Sequence, residues 1–124
     1  AGWKPGRSGA FRLAAFEVAD GRDTAEITVS RMAPQELLPN VNRWRGQVDL
    51  EPTTESALRG EVRAVEADGA QGQLVDLAGP EQTILAAIIT RGGESWIFKL
   101  QGPSKLAAQE KGRFESFVRS VTFK

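Results

Sequence analysis

The chain has 124 residues, sixteen Lys or Arg against sixteen Asp or Glu, and no His, Cys or Tyr. Zero net charge with scattered bases argues against a nucleic-acid partner, which calls for a basic excess or stripe. Without imidazole or thiol, Cys nucleophiles, Ser-His-Asp triads and most zinc or copper sites are excluded, and any catalysis would rest on carboxylates, Lys, Ser or Thr.

The length is that of one domain able to bury a core. The longest apolar run, residues 84–89, falls far short of the roughly 20 residues a spanning helix needs, so no membrane insertion by this segment is expected. Lack of Cys rules out a disulfide framework and fits either the cytosol or a reduced exported domain. The opening Ala1-Gly2-Trp3, without an initiator Met, is expected to be a processed or trimmed start, with any anchor upstream of it.

Residues 2–8 hold Trp3 between Gly and Pro and read as a short edge segment. Residues 10–19 alternate with apolar side chains on both faces, which predicts a strand covered on both sides or bulged near Ala15. Asp20-Gly21 is a turn signal, and residues 25–32 return as a strand with Ile27 and Val29 inward, completing a hairpin. Two prolines then break the pattern. Residues 39–48 read as a helix with Leu37, Val41, Trp44 and Val48 on one stripe and Pro39 near its start. Thr53 or Thr54 is placed to cap a short helix through Leu58, ended by Gly60.

Residues 61–66 and 73–77 read as strands joined by a loop over residues 68–72. Residues 82–90, apolar on both faces, predict a central strand. Arg91-Gly92-Gly93 turns tightly into a strand over 95–100, with Trp96, Phe98 and Leu100 on one face and Ser95, Ile97 and Lys99 on the other. Gly102 and Pro103 are expected to stop it, with Pro103 in the first turn of a helix over 104–121. Leu106, Ala107, Phe114, Phe117, Val118 and Val121 fall within one arc of that helix. The predicted class is α+β: a mainly antiparallel sheet of about six strands, covered by a mid-chain helix and a long C-terminal helix.

The Gly-Trp opening, early hairpin, mid-chain helical insertion and closing strand–helix ending Phe117-Val118-Arg119-Ser120-Val121-Thr122-Phe123 resemble the Mog1/PsbP-like fold. That group includes photosystem II extrinsic subunits, a Ran-binding protein and small bacterial exported proteins or lipoproteins. The ending, and the run Asn40-x-Asn42-Arg43-Trp44-Arg45-Gly46-Gln47, look most like its bacterial members. The resemblance implies a non-catalytic accessory or binding module at the bacterial cell envelope, with no catalytic residue, cofactor or metal site to carry over.

The candidate binding residues are Asn40, Asn42, Arg43, Trp44, Arg45, Gln47, Lys99 and Glu110. Arg forks and an indole suit a carboxylate, a phosphate or a flat ring. Against that, Trp44 lies on the apolar stripe, Arg45 needs only to lay its stem over the sheet, and Asn40 and Asn42 suit capping. Lys99 and Gln101 near the last helix's start give a weak anion signal. Glu110 falls inside the apolar arc of the last helix and needs water or a partner, with Lys99, Arg45 and Arg63 as candidates. A helix overhanging the sheet would leave it hydrated, and that reading is preferred. Asp20, Asp23 and Glu26 lack calcium-loop spacing.

Three functions follow in order. The first is a binding domain for an unknown protein or small ligand, with a concave or apolar surface between the helical excursion and the sheet near Trp44 and Arg45. The second is a small carboxylate- and Lys-based enzyme, which would need two acidic groups in one cleft. The third is a structural subunit with a large interface.

Overall fold

The structure, a computed structural model, describes residues 4–5, 12–34 and 36–121. Trp3, the first two residues of the strand expected over 10–19 and the final Phe123 lie outside them. The described strands are β1 (Lys4–Pro5), β2 (Arg12–Asp20), β3 (Asp23–Met32), β4 (Arg63–Ala67), β5 (Ala70–Ala78), β6 (Gln82–Arg91) and β7 (Glu94–Pro103). The helices are α1 (Leu37–Gln47), α2 (Glu55–Arg59) and α3 (Ser104–Ser120). The strands form one antiparallel sheet in the order β1-β2-β3-β7-β6-β5-β4, six of them long and β1 a two-residue edge. The expected α+β architecture is thus present.

Tight turns set the hairpin registers. Asp68 and Gly69, and Gly92 and Gly93, all have positive φ, the backbone that two-residue type I′ turns require. Hence β4 and β5 close directly with Ala67 opposite Ala70, and the loop expected over 68–72 is only its first two residues. The register of β2 against β3 shifts between Arg12 and Ala14, close to the bulge read from the sequence.

β6 explains the three-layer arrangement. Leu85, Ala87 and Ile89 face the core under α3, and Ile84, Ala86 and Ile88 face the core under α1. β7, the middle strand of the seven, sends Phe98 and Leu100 to the first core and Ile97 to the second. Leu106, Ala107, Phe114 and Val118 of α3 are buried on that sheet. Phe117 meets Phe16 and Phe98 edge to face at 5.6 and 6.1 Å between ring centroids.

The join between β7 and α3 differs from expectation. β7 continues through Pro103, paired with Gln82, so Pro103 is the residue before the helix and not part of its first turn. Ser104 then fixes the helix start: its N–H donates to Glu81 O at 2.9 Å and its hydroxyl to Gly79 O at 3.2 Å.

Arg63 on β4 donates to Glu115 on α3 at 2.6 Å, and Arg119 lies 3.6 Å from the same carboxylate. The Arg63 hydrogen bond holds the Glu115 carboxyl below the usual carboxylate range, with partial burial opposing it. A carboxyl depressed in the folded state stabilises the fold above its unfolded value and loses that contribution as pH falls through the folded value. The stability difference between wild type and Glu115→Gln is therefore expected to be constant above about pH 5 and to shrink on further acidification. It should not exceed about 1 kcal/mol, because Arg63 is half exposed. Denaturant titrations at several pH values measure it, and a difference that grows on acidification would contradict the assignment.

Candidate functional site

α1 forms because Val41, Trp44 and Val48 recur on one face and bury against Val75, Leu77 and the α1 side of β6. Pro39 occupies the third helical position, where its missing N–H has no helical partner to lose. The helix ends in a Schellman pattern: Leu50 N–H donates to Arg45 O at 2.8 Å and Asp49 N–H to Gly46 O at 3.4 Å, with Asp49 at φ 62°.

The polar residues of this helix are spent within the fold. Asn40 is buried; its amide nitrogen donates to Glu36 O at 2.8 Å, and its amide oxygen accepts from Arg43 at 2.8 Å. Asn42 makes a reciprocal pair with the Thr53 backbone, donating to its carbonyl at 3.2 Å and accepting from its N–H at 2.7 Å. Arg45 donates from Nε to Glu51 O and lies 4.0 Å from the Glu61 carboxylate. Gln47 accepts from the Lys99 ammonium at 3.0 Å. Trp44 is 2% exposed and belongs to the core, so its indole does not face a ligand. Asn42 and Arg45 thus tie down the excursion after α1, Asn40 and Arg43 bond within the start of α1, and Gln47 ties the helix to Lys99 on β7.

Glu110 lies apart from them on α3 and corrects two expectations. It is 7% exposed and so not hydrated by an overhanging helix. Its cation is Arg113, 3.5 Å away on the next turn. Arg63 is engaged by Glu115, while Arg45 and Lys99 lie on the α1 side of the sheet.

A hollow of about 460 Å³ lined by Arg45, Leu50, Glu61, Asp76, Leu77 and Ala78 lies where a concave surface was expected beside Arg45, and a cleft of about 770 Å³ opens at the other end of α1. Leu37, Leu38 and Pro39 form one wall, Leu58 and Val62 another, and Ala64, Gly72 and Gln73 of β4 and β5 the floor. Glu36, Glu55 and Arg59, all exposed, line it as well. A smaller recess of about 190 Å³ shares Leu37, Gly72 and Gln73 and reaches Ile88 and Thr90.

None of the candidate residues lines this cleft. The sequence carried one signal for it: Leu38 lies about 100° round the helix from Leu37, off the stripe that Leu37 shares with Val41, Trp44 and Val48. Both are half-buried at the cleft. Among the described residues no group of three or more Asp or Glu is placed to hold a metal ion, and no helix is long and apolar enough to cross a membrane.

A seven-stranded antiparallel sheet with helices on both faces and a cleft at one end places the chain among α+β domains. No protein-family model matches it, and no curated protein does. It is similar to a solved crystal structure of a Pseudomonas aeruginosa protein of unknown function, PA94, described as a candidate regulator. The TM-score is 0.55 at 14% identity, over 100% of this chain and 99% of that one. At that identity the likeness shows the fold alone.

Proposed function

We propose that this chain is a non-catalytic binding domain of a bacterial envelope protein and that its ligand site is the cleft between α1, α2 and the β4–β5 hairpin. The observation that carries this is the cleft itself. Its volume of about 770 Å³ falls within the range of small-molecule sites, and its lining is mostly apolar with a few polar groups at hand. The envelope setting rests on the resemblance to bacterial Mog1/PsbP-like proteins. Glu36 and Glu55 give an enzyme its two carboxylates in one cleft, but both are exposed, and general acid–base work favours a desolvated carboxyl. Binding fits this lining better.

The test is a small-molecule screen followed by amide chemical-shift mapping. Ligand-dependent shifts are expected at Leu37, Leu38, Leu58, Val62 and Gln73, and Leu38→Arg, which fills the cleft from a half-buried position, is expected to abolish them with the fold intact. Shifts confined to another surface, or binding untouched by Leu38→Arg, would overturn the site.

A further inference from the structure

One wall of the cleft, the segment between α1 and β4, has few ties to the sheet. The segment 49–62, which contains α2, leaves the end of α1 and returns at β4. Its backbone hydrogen bonds stay within the segment or run back to α1; outside the helices and strands, the described residues contribute none from it to the sheet. Thr54 caps α2 from inside the segment, and Glu61 and Val62 N–H both donate to Leu58 O.

Three attachments remain. The first is the Asn42–Thr53 amide pair, the second is Arg45 with Glu51 O and Glu61, and the third is Leu58, the one buried side chain of α2. Leu50 and Val62 pack only partly against the same core. A segment with one buried anchor and few bonds to its surroundings lies at the low end of local opening free energies, whereas β6 is held by ladders on both edges and buried on both faces.

We infer that residues 49–62 form a hinged strap that opens as a unit, turning about the end of α1 and latched by Asn42, Arg45 and Leu58. Leu58 and Val62 belong to both the strap and the cleft lining, so opening the strap widens the cleft and closing it covers whatever lies within. That consequence rests on the cleft being the ligand site; the opening does not.

Native-state hydrogen exchange on the unliganded protein tests it. The Thr53 amide is bonded to Asn42 across the latch, and those of Ala57, Leu58, Glu61 and Val62 are bonded within a strap whose five-residue helix is too short to persist once released, so the exchange of all five reports opening. They are expected to exchange together and at least about a hundredfold faster than the amides of Ile84–Ile89. Asn42→Ala is expected to speed the strap amides by about fivefold or more while leaving the β6 amides within about twofold. Strap amides exchanging at the β6 rate in the wild type would overturn the strap. So would Asn42→Ala accelerating strap and β6 equally, since the latch would then belong to the global fold. A strap that opens as expected while the ligand screen finds nothing at the cleft would sink the binding reading and leave the hinge standing.

Discussion

Trp44→Ala is expected to destabilise the domain by about 3–5 kcal/mol, the usual cost of emptying a buried Trp site. The indole is 2% exposed and packs with Val41, Val48 and Leu58 over the α1 side of the sheet. Its removal leaves a cavity in the core that α1, the strap and β6 share. At a domain of this size the thermal midpoint should fall by roughly 10–20 °C. Trp44→Phe, which keeps an aromatic filler, should recover more than half of the loss. Equilibrium denaturation measures both. A Trp44→Ala protein that unfolds near the wild-type midpoint would mean that the indole is not in the core, and would return it to the candidate ligand contacts.

Trp44 also shows where the sequence was legible. A stripe of Leu37, Val41, Trp44 and Val48 specifies a buried helix face, and the structure buries the last three. Strands were equally readable wherever alternation or a two-sided apolar run fixed them: β6, β7 and the β2–β3 hairpin lie within a few residues of their expected bounds. Strand order was not readable, because the pairing of β7 with β3 joins segments separated by the whole helical excursion and no local pattern encodes it.

The bonds that the polar residues make were hidden for a related reason. Asn42 bonds a backbone eleven residues away, and Arg45 bonds one six residues away. A side chain committed to distant backbone looks, in sequence, the same as one offered to a ligand. Glu110 was placed correctly inside the apolar arc. Its cation was sought across the sheet, although the residue three positions on, Arg113, shares its helix surface. The cleft was least legible, since its walls come from α1, α2, β4 and β5, and only their assembly creates it.

Gly79→Ala is expected to cost about 3 kcal/mol or more, near the upper end for overpacking, because the clash is with backbone. A Cβ at Gly79 would lie 2.1 Å from Val48 O, 2.7 Å from Gln82 O and 3.0 Å from Val48 Cβ. Side chains can rotate away from an added methyl; carbonyls at the end of a helix and in a tight turn cannot. Gly79 is also where three elements converge. Its N–H donates to Gln82 O at 2.9 Å across the β5–β6 turn, its carbonyl accepts from the Ser104 hydroxyl at the start of α3, and Val48 ends α1 above it. Relief of the clash must therefore lift the end of α1, open the turn, or pull on the α3 start. Gly46 supplies the control: it lies within α1 with nothing inside 4 Å of an added Cβ, so Gly46→Ala should be neutral or stabilise by up to about 1 kcal/mol through helix propensity. The pair separates close packing from any general intolerance of the helix. Gly79→Ala within about 0.5 kcal/mol of wild type would mean that the end of α1 is not seated on the β5–β6 turn, and the strap would then lack a fixed hinge there.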